Sequence, residues 1–188
     1  MDINREIVLW FQNLFGGHII VDALAVFLAE YLPYFLVVGV LYYLFMMNSW
    51  RNRWLFILLF SFVILISMGV IVWPLQLLVG ASRPFEVLGF EPFVFTGTDH
   101  SFPSLHATFF AALSTLFYLI DKKWGKWYAL VTLLIGIGRV AAGVHWPVDV
   151  IAGFIVGIIG ALIGSYLASD AFYSLRGVKK EEGPAVIS

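Results

Sequence analysis

Five long apolar stretches, separated by short polar connections, constrain this chain more than any other feature. The stretches cover residues 19–47, 54–79, 104–120, 127–144 and 150–167. A helix needs about 20 residues to cross a bilayer core, and only 12% of the residues are charged, compared with roughly 25% in soluble domains. The sequence therefore predicts an all-α integral membrane protein with a bundle of about five to six transmembrane helices.

Two features of these stretches indicate how the helices are shaped and packed. Trp73-Pro74 predicts a kink near the end of the second stretch. The last stretch has a face of small residues that let helices approach closely, namely Gly153, Gly157, Gly160 and Gly164. We expect this glycine face to pack inside the molecule, with a dimer contact as the alternative.

The segment before the first apolar stretch is amphipathic. Its apolar residues recur at helical spacing and form one face: Ile3, Ile7, Trp10, Phe11 and Leu14. This pattern predicts a helix in the membrane interface that ends at Gly16-Gly17, with a short helix packed on the bundle as the alternative. We expect one domain over residues 1–188, divided into an interfacial helix (1–17), a helical bundle (18–168) and a cytoplasmic tail (169–188).

Basic residues are concentrated on one side of the predicted bundle. Five spans place the 48–53 connection, the 121–126 connection and the tail on the same side, and these hold eight of the eleven lysines and arginines. Positive charge marks the cytoplasmic side, so the polar connection at residues 80–103 and the segment around residue 145 face outward. The chain has no cysteine, which excludes disulfides and thiolate metal sites.

Ionisable residues gather at the predicted outer ends of the spans. Such residues are costly at membrane depth and usually mark function; they are Arg83, His106, Arg139, His145 and Asp149. Each has an ordinary explanation by itself, since arginines reach toward headgroups and an aspartate can begin a helix. Their concentration on one side favours a common site.

The segment Pro103-Ser104-Leu105-His106 predicts an anion site. Proline fits the first turn of a helix, which would leave the backbone N–H groups of the next three residues free at a positive helix end. The nearby His100 is expected to have no special role.

The other ionisable residues of this group supply a base and two cations. His145 and Asp149 are four residues apart, so the carboxylate can reach the imidazole and raise its basicity. Arg83 and Arg139 offer bidentate hydrogen bonds to phosphate oxygens. Gln76 lies two helical turns before Arg83 and shares its face if the helix continues that far. This set of side chains suits phosphoryl transfer.

The pattern resembles the type 2 phosphatidic acid phosphatase superfamily, whose motifs are Lys-x6-Arg-Pro, Pro-Ser-Gly-His and Ser-Arg-x5-His-x3-Asp. The matching segments are Arg83-Pro84, Pro103-Ser104-Leu105-His106 and Arg139-x5-His145-x3-Asp149. The resemblance covers residues 76–149, and the third motif is highly specific.

The resemblance implies a covalent mechanism without a metal or cofactor. His145 would attack phosphorus, Asp149 would orient it, and His106 would act as general acid and then as general base. The phosphate oxygens would be bound by Arg83, Arg139, Ser104, the amide of Leu105 and, at the position of the family's lysine, Gln76.

Three positions depart from the family's pattern. Gln76 stands in place of lysine, Leu105 in place of glycine, and Gly138 in place of serine. Since both histidines, both arginines and Asp149 are present, we expect activity to persist with altered phosphate affinity or substrate preference. An inactive member is the alternative.

The chain looks most like the short bacterial undecaprenyl-diphosphate phosphatases, in which an acidic residue followed by tyrosine, as in Glu30-Tyr31, also occurs in the first span. This implies a multi-pass protein of the bacterial inner membrane that converts undecaprenyl diphosphate to undecaprenyl phosphate at the outer leaflet. Glu30 is then either a site residue or a solvated interfacial acid.

Two groups of alternatives stay open. A phosphatase of phosphatidylglycerophosphate or of lipid A would use the same chemistry on another lipid. A non-catalytic scaffold or lipid transporter would use the same bundle without the reaction, although the chain lacks the paired repeats typical of transporters. A phospholipid or polyprenyl diphosphate and the membrane are the expected partners, and no nucleic acid is expected.

Overall fold

The computed structural model describes residues 2–14, 19–95 and 100–177, and these residues form helices without any strand. We number the helices along the chain: α1 Ile3–Leu14, α2 Ile19–Met46, α3 residues 50–79, α4 Pro84–Leu88, α5 Leu105–Ile120, α6 Lys122–Ala141, α7 Pro147–Leu167 and α8 Ser169–Arg176.

Each of the five predicted spans coincides with a helix, namely α2, α3, α5, α6 and α7. The first span, the second and the last are long and apolar enough to cross a membrane. The apolar helix α5 has only 16 residues, and α6 has 20 residues with three lysines near its start. The predicted connection 121–126 is wrong in its extent: the carboxylate of Asp121 accepts the backbone N–H of Lys123 at 2.9 Å, so this residue caps α6 and the lysines belong to the helix.

The predicted cytoplasmic tail also begins with regular structure. Its first eight residues form α8, which packs on the bundle through the buried ring of Phe172. Lys179 and Lys180, which the sequence places in the same tail, lie outside the described residues.

The glycine face of α7 packs against α5 and α3, as predicted. A Cβ atom at Gly153 would lie 2.8 Å from the backbone oxygen of Ser104, and one at Gly164 would lie 2.8 Å from Cγ2 of Val63. Between them, Gly157 faces the backbone of Thr108 on α5. The small residues therefore serve contacts within the chain, and they bring the first turns of α5 and α7 together.

An aromatic cluster fills the opposite end of the bundle. The rings of Phe117 and Tyr128 stack with their centroids 4.3 Å apart, and Tyr43 and Phe56 pack against Phe117. The Tyr128 hydroxyl donates to the backbone oxygen of Leu36 at 3.0 Å. This end holds α2, α5 and α6 together without any of the predicted site residues.

The amphipathic helix α1 lies across the ends of α6 and α7. Val8 is fully buried, the Gln12 amide donates to the backbone oxygen of Ala141 at 3.2 Å, and Asn4 accepts the backbone N–H of Val148 at 3.2 Å. The helix thus packs on the bundle, which was the alternative prediction, while Trp10 stays 59% exposed. Gly16-Gly17 lies outside the described residues.

Helices α2 and α3 both contain π-helical segments, Phe27–Tyr31 and Leu65–Val72. Each segment ends two residues before a proline, Pro33 or Pro74. Proline cannot donate to the carbonyl four residues earlier and its ring crowds that carbonyl, and in both helices that carbonyl lies inside the π segment. The kink predicted at Trp73-Pro74 is thus a widened helix that starts eight residues before Trp73.

The glycine packing predicts that a larger residue on the glycine face of α7 lowers the stability of the protein more than a change on the exposed face. Replacement of Gly157 by alanine would drive a Cβ atom into the backbone of α5, so we expect a destabilisation of about 2 kcal/mol, the usual cost of overpacking. Ile155→Ala, on the exposed side of the same helix, is the matched control. Thermal unfolding in detergent measures both, and an equal midpoint for the two variants would contradict this packing.

Candidate active site

Backbone hydrogen bonds bring the three predicted segments together at one end of the bundle. The Ser101 N–H donates to the oxygen of Ala81 at 2.8 Å, and the Ser104 N–H donates to the oxygen of Asp149 at 3.0 Å. The indole N–H of Trp146 donates to the oxygen of Ser82 at 3.0 Å. The long polar connection is therefore tied to the first turns of α5 and α7.

His145 lies in the short connection between α6 and α7 and is only 3% exposed. Its Nδ1 is 3.0 Å from the backbone oxygen of Ser101 and 3.6 Å from Oδ2 of Asp149. A carbonyl oxygen only accepts, so Nδ1 carries the proton and Nε2 keeps the lone pair in the neutral ring. This tautomer is the one that a nucleophilic Nε2 requires.

Asp149 is 1% exposed and its Oδ2 has several partners. It accepts the hydroxyl of Ser101 and the backbone N–H of Trp146 at 2.8 Å, and it faces the His145 ring. Asp149 therefore caps the start of α7 and also lies beside the His145 ring, and its role in orienting that ring stays a prediction. Nδ1 of His145 lies closer to the Ser101 carbonyl oxygen than to the Asp149 carboxylate.

The surroundings of His145 keep its ring neutral. Burial lowers the pKa of His145 to about 4; the nearby Asp149 carboxylate opposes that shift, and the positive charges of Arg139 and Arg83 add to it. The ring is thus uncharged near neutral pH, and its lone pair is available for attack.

Arg83 is held by the backbone of two loops. It is 3% exposed, and its guanidinium donates to the oxygen of Val144 at 2.9 Å and to that of His100 at 3.3 Å. The condition under which Gln76 and Arg83 would share a helix face is not met, because α3 ends at Val79 and Gly80 takes the left-handed conformation with φ 55°. Arg83 instead precedes the short helix α4.

Arg139 lies in the last turn of α6 and is 3% exposed. Its Nη1 is 3.9 Å from Oε2 of Glu30, and its Nε is buried without a hydrogen-bond partner among the described residues. A buried N–H donor of this kind costs free energy until it finds an acceptor. An anion in the site would supply one.

The start of α5 differs from the prediction by one residue. Ser104, not Pro103, is the residue that caps the helix, because its Oγ accepts the backbone N–H of Ala107 at 3.4 Å. The backbone N–H of Ser104 itself donates to the backbone oxygen of Asp149. Pro103 precedes this cap and does not form the first turn. The first-turn N–H groups of Leu105 and His106 have no acceptor within the helix, so two amides are available and not three.

His106 and Glu30 border a cavity of about 310 Å³ that is otherwise mostly apolar. The imidazole is within electrostatic reach of Arg139, His145 and Arg83. Leu105, one of the three departures, lines the cavity wall, so its side chain contributes apolar surface beside the site. The remaining lining residues are Pro33, Tyr34, Val37, Met68, Phe109 and Phe110.

Gln76 occupies a supporting position. It is buried, and its amide N–H reaches the oxygen of Pro103 at 3.5 Å, so it steadies the start of α5. Among the described hydrogen bonds, His100 contributes only its backbone oxygen. No group of three or more His, Asp or Glu side chains in the described parts of the chain could hold a metal ion.

A family model, described as the PAP2 superfamily, matches residues 54–173. The chain belongs to the PAP2 superfamily. This stretch contains both histidines, both arginines and Asp149, so the residues brought together by the fold are those that carried the resemblance. PAP2 membership confirms the resemblance seen in the sequence.

Curated relatives and one solved structure agree with this assignment. A protein named bacitracin transport permease BcrC from Bacillus licheniformis is 30% identical over 86% of the chain and 78% of its own length. Undecaprenyl-diphosphatase BcrC from Bacillus subtilis is 29% identical over 84% of the chain and 80% of its own length. The crystal structure of a PAP2-type phosphatidylglycerolphosphate phosphatase from Bacillus subtilis superimposes with a TM-score of 0.63 at 19% identity, covering 89% of the chain and 85% of that chain.

Ser101 is a residue of the candidate site that the sequence analysis did not single out. It is fully buried, and it contacts the His145 ring through its carbonyl and the Asp149 carboxylate through its hydroxyl. Serines are common in polar connections, so the sequence alone does not indicate a role for this one. Its burial arises only when the connection packs against the start of α7.

We expect Ser101→Ala to lower kcat/KM for phosphate release about tenfold, because a buried carboxylate loses a hydrogen bond worth about 1.5 to 3 kcal/mol. The exposed Ser82→Ala in the same connection is the matched control. Thermal unfolding of both variants separates a loss of fold from a loss of alignment. Wild-type kinetics in Ser101→Ala would show that the hydroxyl has no part in positioning Asp149.

The lowered pKa of His145 predicts where activity fails at low pH. The ring stays neutral until the pH nears 4, so the acid limb of kcat/KM should lie near that pH and not near the ordinary histidine pKa of about 6.5. Stability should fall already below about pH 6.5, because the unfolded chain takes up the proton first. The profile should be measured with two substrates whose phosphates ionise at different pH, because a limb that belongs to the enzyme stays at the same pH with both. An enzyme limb near pH 6.5 would contradict the assignment of the acid limb to a buried His145.

Proposed function

We propose that this protein hydrolyses the terminal phosphate of a membrane lipid diphosphate, with undecaprenyl diphosphate as the foremost substrate, through a phosphohistidine intermediate. The observation that carries the proposal is a buried, neutral His145 with Nδ1 bound to a carbonyl, within electrostatic reach of Arg83 and Arg139.

The first half of the reaction transfers the phosphoryl group to the protein. Nε2 of His145 forms a bond to phosphorus while the bond from phosphorus to the bridging oxygen breaks. His106 donates a proton to the departing lipid phosphate. Arg83, Arg139 and the amides of the first turn of α5 bind the oxygens, where charge develops in the transition state.

The second half releases the product. A water molecule gives a proton to His106 as its oxygen attacks phosphorus, and the bond between phosphorus and Nε2 of His145 breaks. Inorganic phosphate leaves and the imidazole returns to its neutral form. The Ser101 carbonyl and the Asp149 carboxylate stabilise the Nδ1–H side of the ring throughout.

The apolar cavity beside His106 supports a lipid substrate. It is about 310 Å³ in volume and is bounded by the aromatic rings of Tyr34, Phe109 and Phe110. A chain held there would direct its headgroup toward His106, which is the residue assigned to protonate the leaving group. The Bacillus subtilis undecaprenyl-diphosphatase supports a polyprenyl diphosphate as that lipid.

A phosphatidylglycerophosphate phosphatase is the second candidate, because a PAP2 phosphatase of that lipid shares the fold over 89% of the chain. The name bacitracin transport permease, given to a relative, corresponds to the transporter alternative. A transport function would not require the paired His145 and Asp149 or the buried Nε donor of Arg139. The hydrolase is therefore the function that the geometry favours.

We place the site on the outer side of a bacterial inner membrane. The basic residues of the 48–53 connection and of the first turns of α6 lie at the opposite end of the bundle from His145, and positive charge favours the cytoplasmic side. This arrangement would present the site to lipid diphosphates of the outer leaflet.

Phosphate release from purified protein tests the reaction. Wild type should release phosphate from a polyprenyl diphosphate faster than from phosphatidylglycerophosphate or lipid A, and His145→Ala should release none above background. His100→Ala, a neighbouring histidine without a side-chain role in the mechanism, is the matched control and should retain full activity.

Trapping the intermediate identifies the nucleophile. Brief incubation of wild type with a terminally ³²P-labelled diphosphate, stopped by alkaline denaturation within one turnover, should leave acid-labile label on the protein. Label should be absent from His145→Ala. Label that persists in His145→Ala would assign the nucleophile to another residue, and wild type without any phosphate release would refute the hydrolase proposal.

A further inference from the structure

The mechanism uses neither Glu30 nor Gly138, yet the two belong to one structural unit. The π-helical segment Phe27–Tyr31 of α2 packs directly on α6 at Gly138. A Cβ atom at that glycine would lie 2.7 Å from the backbone nitrogen of Ala29 and 2.7 Å from the carbonyl carbon of Leu28. These are backbone atoms that cannot rotate away, so any larger residue would displace the π segment.

This close contact brings Glu30 to the site. The residue follows Ala29 in the π segment, and its Oε2 lies 3.9 Å from Nη1 of Arg139, the neighbour of Gly138 in sequence. The Glu30 side chain is 40% exposed and borders the same cavity as His106. A carboxylate therefore faces the place where the mechanism requires a phosphate.

The ion pair between Glu30 and Arg139 is loose. Charge-assisted hydrogen bonds are typically 2.7 to 2.9 Å long, and this pair is separated by 3.9 Å. The buried Nε of Arg139 stays without a partner among the described residues. The guanidinium thus has a nearby counter-charge but unsatisfied hydrogen-bonding capacity, which a phosphate could use.

We propose that Glu30 is a built-in counter-charge of Arg139 that competes with phosphate, and that Gly138 is the residue whose small size admits it. Glu30 thereby determines how tightly the site holds anions: it stabilises the buried cation while the site is empty, and it repels inorganic phosphate after hydrolysis. This inference rests on the proposed function for the identity of the anion. A purely structural Glu30 would affect stability and leave anion affinity unchanged.

The direct test is anion binding to the purified full chain. Isothermal titration with inorganic phosphate, and with orthovanadate as a second probe, compares wild type, Glu30→Gln and Glu91→Gln, an exposed acid of the 80–103 connection. We expect Glu30→Gln to bind both anions about fivefold more tightly, as loss of a like charge several ångströms away predicts. Glu91→Gln should bind as wild type does. Equal or weaker binding by Glu30→Gln would overturn the proposal.

The kinetics provide a second readout. Tighter product binding should appear in Glu30→Gln as a lower inhibition constant for inorganic phosphate and a lower kcat, whereas Glu30→Asp should restore part of the wild-type values. The titration needs no turnover, so it decides the role of Glu30 even if the proposed hydrolysis is wrong. An unchanged inhibition constant would contradict the competition.

Gly138→Ala tests the link between the two residues. The added Cβ should displace the π segment and remove Glu30 from Arg139, so this variant should gain anion affinity as Glu30→Gln does. The double variant should gain no more than either single change. Additive gains in anion affinity would show that Gly138 acts independently of Glu30 and would overturn its part of the proposal. If Gly138→Ala does not fold, Arg139→Ala is used instead. In the Arg139→Ala background, Glu30→Gln should no longer change anion affinity.

Discussion

The site depends on the hydrogen bonds of one residue, Asp149. Its carboxylate accepts the Ser101 hydroxyl and the Trp146 N–H, and its backbone oxygen accepts the Ser104 N–H. A buried carboxylate is costly unless such partners surround it, so the carboxylate and its partners require each other. The same bonds that satisfy Asp149 also fix the carbonyl that binds His145, and they fix the residue at which α5 begins.

This polar junction is possible because α5 and α7 touch along their backbones. Gly153 brings α7 against the first turn of α5, which places the oxygen of Asp149 within 3.0 Å of the Ser104 N–H. The close packing of α5 against α7 therefore also determines the geometry of the candidate site at their ends. A change that separates the two helices by a fraction of an ångström acts first on the bond between Ser104 and Asp149.

Much of this arrangement could be predicted from the sequence, because apolar length marks the spans and the ionisable residues stand out against them. His106, Arg139, His145 and Asp149 gather as predicted. The errors concern local backbone. The helix break at Gly80 and the position of Pro103 before the cap depend on bonds to distant segments. Ser101 was missed for the same reason, since its role arises only from contacts with residues far along the chain.

The π segment of α2 has a consequence for how this helix can vary. Successive residues of an α-helix are about 100° apart around the axis, so a segment with wider turns gives the two halves of α2 different angular registers. Deletion of one residue within Phe27–Tyr31 would return the helix to a single register and rotate everything before it relative to Gly39 and Leu36. The number of residues in this helix, and not only their identity, thus sets whether an acidic side chain reaches Arg139. If the proposed role of Glu30 holds, relatives with a shortened or lengthened first span should differ in anion affinity.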